Sequence, residues 1–211
     1  FELELAAGEA RTVSWADATL APASLWWPHT LGAPFLYACR FEARVARAGR
    51  RGGGEALALS HARALRVGVR LAEGYVDATA RGRAFRVNGV PVFLVGGNWI
   101  ASDQLLRYAT DARRYRDELA LHRAAGLDLV RVWGGGLAER PEFYDAADGL
   151  GLLVMQEFWM SGDNNGRWAG SYAWPLDHAA YLDNARDTVR ALRPHASPLF
   201  GCGGDEHAPP A

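Results

Sequence analysis

Leu199-Phe-Gly-Cys-Gly-Gly-Asp-Glu-His-Ala-Pro-Pro210 sets two adjacent carboxylates where an apolar strand runs out into glycine and proline. The C-terminal end of a parallel strand is where an α/β barrel keeps its reactive groups. Three upstream segments break off in the same manner, each at a cluster of Trp, Asn, Arg or Glu: Val92-Phe-Leu-Val-Gly-Gly-Asn-Trp99, Leu127-Asp-Leu-Val-Arg-Val-Trp-Gly-Gly-Gly136 and Leu152-Leu-Val-Met-Gln-Glu-Phe-Trp159. Polar and aromatic groups from four strand ends therefore converge on one rim. Helical patterns separate these strands. Thr110 to Ala125 has helical spacing through Tyr115, Leu119 and His122 and stops at Gly126. Pro141 to Leu150 opens with Pro in its first turn and stops at Gly151, and Leu176 to Leu192 stops before Pro194. Such alternation implies a parallel sheet. Four strands and three helices in about 125 residues amount to half of a (β/α)8 barrel of roughly 250 residues.

Ahead of this region, residues 1 to 83 read as β. Alternating or apolar runs at Phe1 to Leu5, Thr12 to Trp15, Phe35 to Val45 and Ala64 to Val76 are separated by Pro, Gly and Ser stretches, and an all-β sandwich is the simplest architecture. Arg50-Arg-Gly-Gly-Gly54 reads as a solvated loop tip, and Trp26-Trp27-Pro28-His29 as packing between the two parts.

Composition excludes several chemistries. The 211 residues are 49% hydrophobic with a formal net charge of -1, enough for a real core and without the basic excess of a nucleic-acid or anionic-membrane binder. All 23 basic residues are Arg, so Schiff-base lysines and the lysine of a phosphate loop are ruled out. No apolar run approaches the roughly 20 residues that span a bilayer. Cys39 and Cys202 are too few for a disulfide framework. The six histidines show no pair at metal spacing, and Asp163-Asn-Asn-Gly166 lacks the rest of a calcium loop, so no metal and no cofactor is expected. The chain opens at Phe1 already in a strand-like alternation and reads as an internal fragment.

Glu206 is the leading candidate for chemistry. A carboxylate beside Asp205 and placed in a cleft is pushed toward the protonated form that a general acid needs, whereas in a terminal tail the same two residues are a solvated acidic pair. Arg131 lies between Val130 and Val132 in an otherwise apolar strand and requires a carboxylate partner, as a structural pair or as part of a site. Glu157, one strand over, can hydrogen-bond a hydroxyl or neutralise Arg131. Trp99, Trp133 and Trp159 sit at equivalent strand ends, a pattern that favours a shared aromatic surface for sugar stacking. Gly134-Gly-Gly136 has no Lys-Ser/Thr after it and is a weak phosphate signal.

These segments, taken in order, resemble a known family. Phe85-Arg-Val-Asn-Gly-Val-Pro-Val-Phe-Leu-Val-Gly-Gly-Asn-Trp99, Val130-Arg-Val-Trp-Gly-Gly-Gly136, Pro141-Glu-Phe-Tyr-Asp-Ala-Ala-Asp148, Gly149-Leu-Gly-Leu-Leu-Val-Met-Gln-Glu-Phe158 and the strand ending at Glu206 are similar to the family 2 glycoside hydrolases, and within them to the β-mannosidase branch. Gly136-Leu-Ala-Glu-Arg-Pro-Glu-Phe-Tyr144 and Gln156-Glu-Phe-Trp-Met-Ser-Gly-Asp163 resemble the plant mannosylglycoprotein endo-β-mannosidases. Leu25-Trp-Trp-Pro28 carries the likeness into the β part. The resemblance implies an immunoglobulin-like β-sandwich over residues 1–83 followed, over 84–211, by the first half of a TIM barrel. It implies a retaining hydrolase with Glu206 as acid/base, Arg131 holding the nucleophile ionised, and Asn98, Trp99, Trp133, Glu157, Trp159 and Asp205 shaping the sugar subsite. The family's residue before the acid/base is usually Asn, where this chain has Asp205. Its nucleophile lies on the seventh barrel strand, beyond the four read here. The expected partner is an oligosaccharide or glycoprotein glycan, cleaved inside an N-glycan at mannosyl-β-1,4-N-acetylglucosamine, with the Ser161 to Trp174 loop lining an open cleft. Exo-β-mannosidase and exo-β-glucosaminidase activities are the alternatives within the family, and a non-catalytic carbohydrate-binding or structural module is the alternative outside it.

Overall fold

A computed structural model of the chain describes residues 2–14, 19–46, 57–103, 112–162 and 175–206. The Arg50–Gly54 loop tip, the Asp163–Gly166 turn and most of the Ser161–Trp174 loop lie outside the described residues. Within them, the β part forms two antiparallel ladders. β1 (Tyr37–Val45) pairs with β2 (Ala58–Val67), and β3 (Ala72–Asp77), β4 (Gly82–Val87) and β5 (Val90–Val92) form a meander. Residues 2–14 join no ladder: the Glu2-Leu-Glu-Leu5 alternation offers a face, but alternation makes a strand only where an edge is there to pair. The run Ala64 to Val76, expected as one strand, is two. The break falls at Gly68, where a Cβ would come within 2.6 Å of Ala196 Cβ and 2.9 Å of Trp26 Cβ, so the chain leaves the ladder to pass tightly between those side chains.

The second part is a four-stranded parallel sheet in the order β6 (Gly96–Trp99), β7 (Leu129–Val132), β8 (Leu153–Glu157), β9 (Pro198–Cys202). The intervening helices are α1 (Ala112–Ala124), α2 (Pro141–Leu150) and α3 (His178–Leu192). Pro141 opens α2, and Gly151 closes it at a φ of 71°, the left-handed geometry that glycine adopts without strain. Asp177 caps α3 by accepting from Ala180 N at 2.9 Å. Gly96 is required by close approach, since a Cβ there would sit 2.1 Å from Leu129 O on the neighbouring strand.

The period of two along β7 divides its residues between faces. Val130 and Val132 join Tyr115, Leu119, Phe143, Tyr144, Ala147, Leu152 and Val154 in a core beneath α1 and α2, leaving Arg131 on the opposite face. A second core of Trp26, Val87, Leu153 and Ala196 closes the N-terminal ends of the strands. There Trp26 Nε1 donates to Asp148 O at 2.8 Å, Arg70 donates to Ala196 O and Pro198 O, and Phe85 stacks on Phe200 with centroids 4.7 Å apart. β4 itself runs through residue 83, so its pairing ties residues on both sides of that point into one meander.

Trp26 is fully buried at this junction. Trp26→Ala is expected to destabilise the protein by about 3–5 kcal/mol, the range for emptying a buried aromatic site. The midpoint of urea unfolding followed by circular dichroism checks it.

Candidate active site

The C-terminal ends of all four parallel strands meet at the Arg131 guanidinium. Its Nε donates to Glu157 Oε1 at 2.8 Å, its Nη1 to Asn98 Oδ1 at 2.9 Å, and its Nη2 to Asp205 Oδ1. Those partners belong to β8, β6 and the turn after β9, and Arg131 to β7. The strand pattern explains the meeting: Arg131 is on the face of β7 turned away from the helices, in register with Asn98 and with Met155, two residues before Glu157.

Glu157 is 2% exposed and accepts from Arg131 on one oxygen and from Gly134 N, at 2.9 Å, on the other. It forms an ion pair with Arg131. Asp205 accepts from Trp133 Nε1 at 2.7 Å and Ser161 Oγ at 3.1 Å on its other oxygen, while its backbone N–H donates to Met160 O at 2.7 Å. The Trp133 N–H, with Arg131 and Ser161 behind it, holds the Asp205 carboxyl below the usual carboxylate range against the opposing effect of burial. Asp205 is thus an ionised, Arg-paired group. Glu206 follows it, exposed and at a φ of 54°. That left-handed conformation costs a non-glycine residue about 1–2 kcal/mol, and such strain gathers at functional sites.

Five of the eight residues expected at the site, Asn98, Arg131, Trp133, Glu157 and Asp205, form one hydrogen-bonded cluster, with Glu206 at its edge. The other two tryptophans are placed differently. Trp99 packs on Phe143 at 5.0 Å and donates its indole N–H to Glu139 Oε1 at 3.0 Å. Trp159 stands edge-on to Tyr181 of α3, whose hydroxyl donates to Gly203 O. The three indoles therefore serve three surroundings.

Sequence reading missed several supporting residues. Glu139, 7% exposed, accepts from both Trp99 and Tyr115, and burial raises its carboxyl above the ordinary value against those two donors. Tyr144 OH donates to Gln156 Oε1 at 2.6 Å, and Gln156 Nε2 to Glu157 O at 2.7 Å, so α2 braces the strand end that carries Glu157. A lone Glu in the Leu137–Arg140 connection carries no sequence signal of burial. Asp145, Asp148 and His195 bring three potential ligand atoms within 4.8 Å of one another, a grouping invisible in spacing because α2 and the segment after α3 supply it separately. Asp148 accepts from Ser197 N at 2.7 Å, and His195 Nδ1 lies 2.7 Å from its other oxygen, fastening α2 to the approach to β9.

No family model matches the chain. Curated and solved proteins do. The chain is 43% identical over 189 residues to a mannosylglycoprotein endo-β-mannosidase of Lilium longiflorum, covering 89% of this chain and 19% of that protein. It is 36% identical over 185 residues to β-mannosidase B of Neosartorya fischeri, covering 87% and 20%. It superposes on the Amycolatopsis orientalis exo-chitosanase with a TM-score of 0.69 at 27% identity, covering 88% of this chain and 20% of that one. The chain is a relative of the β-mannosidases of glycoside hydrolase family 2. It spans about a fifth of the length of the curated relatives it matches.

The lowered pKa of Asp205 gives a signed prediction. A group whose pKa falls on folding adds stability that is complete above its unfolded value, about 3.9 for Asp, and is lost as pH falls through the folded value. The stability difference between wild type and Asp205→Asn is therefore expected to be constant near neutrality and to shrink below about pH 4. Urea unfolding across that range measures it. A difference independent of pH would show that Asp205 is not ion-paired.

Proposed function

We propose that the full-length protein is a retaining glycoside hydrolase acting on β-mannosidic linkages, with Glu206 as acid/base. The observation that carries this reading is the Arg131 centre: four parallel strand ends supply one polar cluster, and Glu206 leaves the last of them in a strained conformation beside Asp205. The kinship with β-mannosidases gives the rim its chemistry. In this reading Glu206 protonates the departing oxygen and later deprotonates the attacking water, across from a nucleophilic carboxylate about 5–5.5 Å away. The family resemblance puts that nucleophile on a seventh strand, so the isolated 211-residue chain is expected to be silent toward aryl β-mannosides. In this reading an immunoglobulin-like sandwich expected over 1–83 and the first half of a TIM barrel over 84–211 are joined through β4, which runs across that boundary.

For substrate, the likeness to the lily endo-β-mannosidase favours cleavage of mannosyl-β-1,4-N-acetylglucosamine within a glycoprotein N-glycan. The Amycolatopsis neighbour keeps an exo-glucosaminidase in view. Asp205 argues against it here. A substrate ammonium calls for a carboxylate whose charge is uncompensated, and Arg131 already compensates Asp205.

Two measurements test the reading. Glu206→Gln should cut kcat/KM on substrates with poor leaving groups at least a hundredfold, in line with the usual contribution of general acid catalysis, and lower kcat/KM on activated aryl mannosides far less, because their departure needs little protonation. Equal losses on both would remove Glu206 from the acid role. On a defined oligomannose-type glycopeptide, wild type should release an oligosaccharide first. Free mannose as first product establishes an exo-mannosidase, and glucosamine released from chitosan oligomers establishes the glucosaminidase.

A further inference from the structure

The Trp133-Gly-Gly-Gly136 turn, a weak phosphate signal in the sequence, does something else in the fold. Gly136 N closes it on Trp133 O at 3.1 Å. The Trp133 indole folds back over Gly135 so closely that a Cβ there would meet Cη2 at 2.0 Å, Cζ2 at 2.2 Å and Cζ3 at 2.3 Å. Gly135 has no positive φ, so space and not backbone conformation makes glycine necessary. At Gly136 a Cβ would meet only Trp133 O, at an ordinary 3.5 Å. Two adjacent, chemically identical residues thus differ completely in what they tolerate.

The indole that lies on Gly135 aims Nε1 at Asp205 Oδ2, at 2.7 Å. Any side chain at 135 must lift the benzo ring, and because the indole is rigid, lifting that ring swings the N–H off the carboxylate. We propose that Gly135 is a positioning residue: it seats Trp133 so that the indole N–H fixes the Asp205 carboxylate, and through it the orientation of the turn that presents Glu206. This rests on the reading above that Asp205 and Glu206 belong to the active site. Gly134 complements it from the other side, its N–H orienting Glu157 and its missing Cβ leaving Met160 O, 2.9 Å from where that carbon would be, free to accept from Asp205 N.

The test uses the full-length protein with indole-15N tryptophan, in which the Trp133 cross-peak is identified as the one lost in Trp133→Phe. Gly135→Ala is expected to move that peak upfield as the carboxylate hydrogen bond breaks, and to lower kcat/KM on β-mannosides at least tenfold. Gly136→Ala should change neither. Phenylalanine lacks both the N–H and the three ring atoms that collide, so adding Gly135→Ala to Trp133→Phe should cause no further loss. An unmoved peak in Gly135→Ala, or losses that multiply in the double variant, overturns the inference. If Gly135→Ala alone does not fold, recovery of folding in the double variant supports the collision, and failure of both to fold overturns it. A shifted peak in a protein whose wild type hydrolyses no β-mannoside refutes the proposed function while leaving the positioning intact.

Discussion

One guanidinium holds the candidate site together. Arg131 offers five N–H donors in a rigid planar fork, and the fold answers with Asn98 of β6, Glu157 of β8 and Asp205 of the turn after β9. Taking such a cation even partly out of water is costly unless its partners are close and hydrogen-bonded. Here the ends of two neighbouring strands, with the turn after β9, supply those partners. Remove the arginine and Glu157, almost wholly buried, is left as an uncompensated charge.

Around that centre a second layer limits movement. Glu157 is held by the Gly134 amide and braced from α2 through Tyr144 and Gln156, and Asp205 by Trp133, Ser161 and its own backbone bond to Met160. A carboxylate held by several donors is preorganised, with little freedom to reorient. Glu206 lies exposed, in a left-handed backbone conformation, directly after Asp205 of this network.

The other end of the sheet has a different task. At the N-terminal ends of the strands, Trp26, Val87, Leu153 and Ala196 form an apolar plug, and Arg70 and Asp148 tie the approach to β9 to the antiparallel ladders and α2. Apolar packing at one end of the strands and a polar cluster at the other is the arrangement that barrel sheets also show. The β ladders support the rim from below.

Much of this was legible in the residues. Strand-helix alternation with Pro141 as the start signal and Gly151 as the stop located α2 to the residue, and Arg131 between two valines announced a charge that calls for a carboxylate partner. Local rules act over a few residues and need no knowledge of the fold. What they could not decide was which neighbour answers a given need. Three strand-end tryptophans looked equivalent, yet one bonds the site, one bonds buried Glu139 and one leans on α3. The Glu2–Leu5 alternation found no edge, and Gly68 split an apparently continuous strand because Trp26 and Ala196 crowd it. By itself the sequence determined the parallel sheet, its helices and the presence of an arginine-carboxylate centre, since periodicity and the cost of burying charge are properties of the chain alone. Only the tertiary structure decided that Glu157 pairs with Arg131 and the Gly134 amide, that Asp205 is held by Trp133, and that Gly135 makes room for the indole, because those outcomes depend on atoms brought together from distant residues.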